Sequence, residues 1–189
     1  MSHNGPIFFW HPEGGDYPFL SQHYPCEFPD GNGQIFTSTE QYMMYHKAIH
    51  FDDIPTSLQI LECTNPRTIK ALGRSVKRFD DEEWDKVKFE IVVQGNVLKF
   101  SKGGKKLRNQ LEETGQRELV EASPFDKIWG IGIKGGPKEC RRQERDGTLE
   151  ERRKEWGMNL LGKAIVKARR RIREAEVKGG NNGGNEGRN

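Results

Sequence analysis

The chain has 189 residues, 31 Lys/Arg against 28 Asp/Glu for a formal charge of +3, and 10% aromatic residues. That is long enough for one domain with a buried core, too aromatic for a disordered chain, and without any apolar run near 18 residues that would span a membrane. Eight Lys/Arg and three Glu fall from Lys163 onward, a surplus of five that leaves the first 162 residues at −2. A basic end is thus attached to a nearly neutral body, and nucleic-acid binding by the whole surface is not implied.

Residues 1–33 are rich in Pro, Gly and aromatics and read as loops, with a short strand at Pro6–Trp10. The run from Met1 to Pro12 has no basic region followed by an apolar stretch, so no secretory leader is expected. Cys26, Cys63 and Cys140 lie apart without CxxC spacing, which suggests reduced thiols in the cytoplasm or nucleus. Asp30–Gly33 makes a turn before the extended Ile35–Phe36. A helix is predicted from Ser38 to about His50, because Thr37/Glu40 and Ser38/Gln41 both have capping-box spacing. Shorter helices follow at Pro55–Glu62 and after Asn65-Pro66, the latter leaving at Gly73. Asp80-Asp81 opens a longer helix with Trp84, Val87, Ile91 and Leu98 at helical intervals and Gly95 as a weak point. Lys105–Glu113 reads as a helix, Arg117–Ala122 as a strand, and Lys127–Ile133 as an extended apolar segment. Lys134–Trp156 holds fourteen charged residues in twenty-three and reads as a solvated loop or exposed helix. Leu161, Ala164, Ile165, Ala168 and Ile172 form the apolar stripe of a last helix, with Arg169–Arg171 and Arg173 mostly off it. These elements predict a helix-rich α+β single domain over residues 1–175, with a charged insertion at about 134–156. A disordered Gly/Asn-rich tail is expected over 176–189.

Glu40 and Lys47 are two turns apart on nearly one face of the first long helix, about 10 Å along its axis. Helical side chains lean toward the N-terminus, so the amine would reach back toward the acid and share a pocket wall with it. A surface charge pair is the alternative. His46 and His50 stand at i, i+4 but lack the HExxH glutamate and a third ligand, so no metal site is expected. In Asp126–Gly132 an acid and Trp129 sit beside Gly130 and Gly132, which fits either a ligand-facing loop or a core strand. Trp84 has the same two readings. Asn159 ahead of the last helix suits a cap or a phosphate, and Lys70 with Arg74 a phosphate grip or a solvated face.

In their order these pieces resemble the NADAR family, also called YbiA-like. The matching text is Phe19-Leu20-Ser21, Phe36–Met43 with Lys47-Ala48, Asn65-Pro66, Lys70–Arg74, Trp84, Lys99-Phe100, Leu119–Ala122, Asp126, Trp129–Gly132 and Gly157–Gly162, covering roughly residues 7–173. The chain departs from the common pattern at Gln22-His23, where members usually have Asn-Phe, and at Gln41, where they usually have His. Ile131 stands where some members have an acid, and the charged stretch before Asn159 is longer than usual.

The resemblance implies N-glycosidase chemistry on a riboside, with catalytic candidates Glu40, Lys47, Glu121 and Asp126. Cleaving a C1–N bond passes through an oxocarbenium-like state, so a carboxylate beneath C1 and an acid for the departing nitrogen are needed. Glu40 suits the first task, and Glu121 or Asp126 the second. Lys47 offers a Schiff-base route instead of direct water attack. Candidate binding residues are Trp129, Gly130, Trp84, Lys70, Arg74, Ser21 and Asn159. The expected partner is a small phosphorylated riboside such as a ribosylamino-pyrimidine intermediate of riboflavin synthesis, with no cofactor, metal or membrane. Rival readings are removal of ADP-ribose from guanine or nucleotides, whose two phosphates could use the basic last helix as a groove, an inert nucleotide-binding module, and RNA binding through Arg169–Arg173.

Overall fold

Strands form only where short apolar runs are pinned by neighbouring turns. In the computed structural model, which describes residues 5–182, β1 (Ile7–Phe9) pairs in parallel with β4 (Leu119–Glu121), with Ile7 opposite Leu119 and Phe9 opposite Glu121. β2 (Phe28–Pro29) pairs antiparallel with β3 (Ile35–Phe36). All else regular is helical: α1 (Thr39–His50), α2 (Ile54–Glu62), α3 (Pro66–Arg74), α4 (Asp81–Lys102), α5 (Lys105–Glu113), α6 (Gly136–Arg145), α7 (Leu149–Arg152) and α8 (Leu160–Asn182). No helix among the described residues is long and apolar enough to cross a membrane.

The helix starts follow their caps. Of the two capping pairs, Ser38/Gln41 is used: Ser38 Oγ accepts the Gln41 N–H at 3.1 Å. The Gln41 side chain accepts instead from the N–H and hydroxyl of Thr37, while its Nε2 donates to the carbonyls of Ile60, Leu61 and Cys63. Gln41 therefore closes the carbonyl end of α2, whose last turn would otherwise leave acceptors unpaired. Asp53, Asn65 and Asp80 cap α2, α3 and α4 in the same way.

α4 packs against both α1 and α8, and Val92, Val93 and Phe100 share one core with Leu161, Ala164, Ile165, Ala168 and Ile172. The Gly95 weak point has a packing reason: a Cβ there would stand 2.8 Å from the Tyr42 ring, so α1 and α4 meet across bare backbone.

Two expectations are corrected and an open one is decided. Lys127–Ile133 contains no strand; Asp126 Oδ1 accepts the N–H groups of Ile128 and Trp129 and turns the chain there. Of the two readings of the charged insertion the helical one holds, because Cys140 and Leu149 drop into a second core with Phe8, Val120 and Ile131. Its charges pair on the outer face, Glu139 with Arg142 and Arg153 with Glu118. α8 runs to Asn182, beyond the boundary at 175, and residues 183–189 of the expected tail lie outside the described residues.

Of the four arginines of α8, Arg170 is exposed and pairs along the helix with Glu174, and the other three are engaged with neighbouring elements. Arg169 is buried against Thr114 Oγ1 at 2.6 Å and the Arg117 carbonyl, Arg171 pairs with Glu90, and Arg173 pairs with Glu112. They fasten α8 to α4 and α5 rather than offering a stripe to RNA.

Candidate active site

The two parallel strands run out at one edge of the molecule, and the acids collect beyond it. Glu121 is the last residue of β4, and Asp126 follows five residues later on the turn it pins itself. Glu40 comes from the first turn of α1, where its N–H donates to the Gln22 carbonyl at 3.0 Å, and Lys70 comes from α3. These four side chains line a cavity of about 160 Å³ together with Gln22, His23, Met43, Met44 and Trp129.

Burial dominates the electrostatics. Glu40 is only 5% exposed, and desolvation raises its pKa to about 7, opposed by Lys70 and reinforced by the charge of Asp126. Glu121 is pushed to about 8 by burial first, then by Asp126 and Glu40, with Lys70 again opposing. Its Oε2 is buried without a protein hydrogen-bond partner. The His23 pKa is lowered by burial and by Lys70. The cavity thus holds carboxyls that keep protons near neutral pH beside an aspartate and one lysine, an arrangement suited to moving a proton onto a leaving group. Among the described residues no group of three His, Cys, Asp or Glu is placed to hold a metal ion.

Of the candidates read from sequence, Glu40, Glu121, Asp126, Trp129 and Lys70 meet in this cavity. Lys47 does not line it. Its Nζ donates to the Gly73 carbonyl at 2.8 Å and sits 3.7 Å over the Phe79 ring. The unpaired carbonyls at the end of α3 are nearer to hand than an acid two turns back, and a helix C-terminus attracts a cation. The amine beside Glu40 is therefore Lys70.

Trp84, expected near the ligand, is a core residue 8% exposed, and Arg74 lies exposed on the last turn of α3 outside the cavity. Ser21, Gly130 and Asn159 stand one layer behind. The Ser21 carbonyl accepts the Lys99 ammonium at 3.0 Å. A Cβ on Gly130 would come within 2.8 Å of the Glu121 carbonyl, so only glycine lets that loop close on β4. Asn159 bonds the backbone on both sides of Val120.

Sequence reading missed Met43 and Met44 as cavity walls, although their positions three and four residues after Glu40 put them on its face. Gln22 and His23 had a signal, since they are the positions at which the chain departs from the family text. Lys99, fully buried under Ser21, stood in the matching family text but had no role read for it. A larger cleft of about 480 Å³, lined by Arg117, Lys163, Lys167 and Arg170, contains none of the acids.

The fold has a solved counterpart, and the sequence has curated relatives. The NMR structure of the E. coli protein YbiA superposes with a TM-score of 0.69 at 20% identity, over 94% of this chain and 90% of that one. An N-glycosidase of Acanthamoeba polyphaga mimivirus is 44% identical over 155 residues, 79% of this chain and 85% of that protein. A riboflavin biosynthesis protein of Vibrio vulnificus is 26% identical over 172 residues, 89% of this chain but 39% of that protein's length. The NADAR domain model matches residues 8–173, and the chain belongs to the NADAR domain family.

Proposed function

We propose that the chain is an N-glycosidase that hydrolyses the C1–N bond of a phosphorylated riboside, with ribosylamino-pyrimidines of the riboflavin route as the leading substrate class. The observation that carries this reading is the convergence of Glu40, Glu121 and Asp126 with Lys70 in one small cavity, two of the carboxyls raised to about 7 and about 8. The names of the mimivirus and Vibrio relatives support the reaction and the substrate class respectively.

In this scheme Glu121, protonated at neutral pH, gives its proton to the departing nitrogen as the C1–N bond breaks. The Asp126 carboxylate faces the cationic sugar and stabilises it electrostatically. Glu40, ionised above about pH 7, takes a proton from the water whose oxygen bonds to C1. Each such proton transfer contributes roughly 10²–10⁴-fold. Lys70 meets the phosphate at the cavity edge, with Arg74 one turn further along α3, and Trp129 walls the sugar. Because Lys47 is engaged with Gly73 and Phe79, the route runs through water rather than a lysine adduct.

Incubation of the protein with a phosphorylated ribosylamino-pyrimidine, and separately with ADP-ribosylated guanine, followed by chromatography, tests this. Free base and the corresponding sugar should appear with wild type and fall at least about 100-fold in Glu121→Gln and Glu40→Gln. Undiminished release in both variants overturns the assignment, and binding of riboside without any product from wild type makes the protein a binding module.

A further inference from the structure

Phe125 is 88% exposed, the highest value among the exposed large apolar residues described. Burying a phenylalanine is strongly favourable, yet this one belongs to none of the three core clusters. Nor is it carried on a loose tip. The Phe125 and Asp126 N–H groups both donate to Ser123 Oγ, and Asp126 is tied in turn to Ile128 and Trp129. The backbone that carries this bare ring is therefore pinned, one residue from a carboxylate of the acid cavity.

Its one aromatic neighbour is Trp10, 6.2 Å away between centroids with the planes at 64°. Trp10 follows directly on β1 as the acids follow on β4, and it lines a separate cavity of about 360 Å³ under the first turn of α6. Gly136 of that turn lies close behind the indole: a Cβ there would be 3.6 Å from it. Phe125 directly precedes Asp126, which lines the acid cavity, and meets Trp10 edge-on, whereas Lys70 lines the acid cavity itself.

We propose that the Phe125 ring, flanked edge-on by Trp10, is the platform on which the planar heteroaromatic leaving group of the substrate stacks, and so sets which bases the enzyme releases. The proposal rests on the N-glycosidase reading. Its chemistry is that of any flat ring: stacking on an aromatic side chain is tolerant of base identity and grows with ring area. The anionic part of the substrate goes to Lys70, the lysine that lines the acid cavity. Phosphorylated ribosides whose leaving nitrogen carries a flat ring are the preferred class, ahead of ribosides whose nitrogen carries no ring.

The test compares wild type, Phe125→Ala and Phe125→Trp on ribose 5-phosphate derivatives whose leaving group is a purine, a pyrimidine or a simple amine. Phe125→Ala should raise KM about ten-fold for the purine, the size of one lost stack, less for the pyrimidine and hardly for the amine. Phe125→Trp should restore the order. Equal losses on all three leaving groups, or none, overturn the platform. Equilibrium dialysis of free purine base keeps the two readings apart: binding by wild type that Phe125→Ala weakens ten-fold supports the platform even where nothing is cleaved. A dimer that Phe125→Ala converts to monomer, with base binding unchanged, assigns the ring to self-association and overturns it.

Discussion

Asn159 Oδ1 accepts the N–H of Glu121 at 3.0 Å while its Nδ2 donates to the Leu119 carbonyl at 2.9 Å. One side chain at the head of α8 thereby imitates a neighbouring strand and fixes the end of β4 that carries the catalytic candidate. Asn159 itself stands at φ +51°, a left-handed conformation that Asn tolerates better than most residues. Asn159→Ala should strand two buried backbone groups, cost about 2–3 kcal/mol and lower Tm by roughly 5–10 °C. Turnover should fall as well, because Glu121 loses its register. Thermal melts and base release measured on one preparation check both effects.

Lys99 is fully buried with no carboxylate partner; its ammonium meets only the Ser21 carbonyl and, at over 5 Å, the rings of Tyr24 and Phe100. Burial lowers its pKa to about 8 from 10.5. The folded state therefore binds fewer protons than the unfolded state between these values, so stability rises with pH from about 8 to about 10.5. Lys99→Met should abolish that rise and leave stability at pH 7 unchanged or higher, since an uncompensated buried charge is removed. Denaturant titrations at pH 7 and 9.5 measure it.

Three helix starts were legible because their signal is local: Ser38, Asn65 and Asp80 bond the backbone two or three residues ahead. The α8 stripe was legible because periodicity is enough to mark a buried face. The insertion stayed undecided between loop and helix because Cys140 is the lone apolar anchor of α6, and one residue makes no pattern. Glu40 with Asp126 and Glu121 came into view through family likeness, whereas the Lys47 pairing failed. Spacing along a helix gives the face but not the competitor, here the free carbonyls of α3. Lys70 lies on another helix, and no rule of spacing links it to Glu40.

Lys47 and Lys70 can be separated directly. Lys47→Ala removes the bond to Gly73 and the contact with Phe79, both at a half-buried site, and should cost about 1 kcal/mol of stability with kcat within two- or three-fold of wild type. Lys70→Ala, at an exposed residue lining the cavity, should leave Tm in place and raise KM for the phosphorylated substrate ten-fold or more. Loss of turnover in Lys47→Ala with its fold intact would restore the lysine adduct route.

Glu40 and Glu121 set both the pH optimum and a stability slope. Their folded pKa values of about 7 and about 8 lie above the ordinary 4.5, so between these limits the folded state holds protons that the unfolded state has released. Stability then falls as pH rises from about 4.5 to about 8, by on the order of 3 kcal/mol for Glu40 alone at 1.36 kcal/mol per unit. Glu40→Gln should flatten this slope and be more stable than wild type at pH 8. Activity runs differently, because the base must be ionised while the acid keeps its proton. The kcat/KM profile should climb near pH 7, fall near pH 8, and lose its acid limb in Glu40→Gln and its alkaline limb in what activity Glu121→Gln retains. A profile flat from pH 6 to 9 would remove these two carboxyls from the proton transfers.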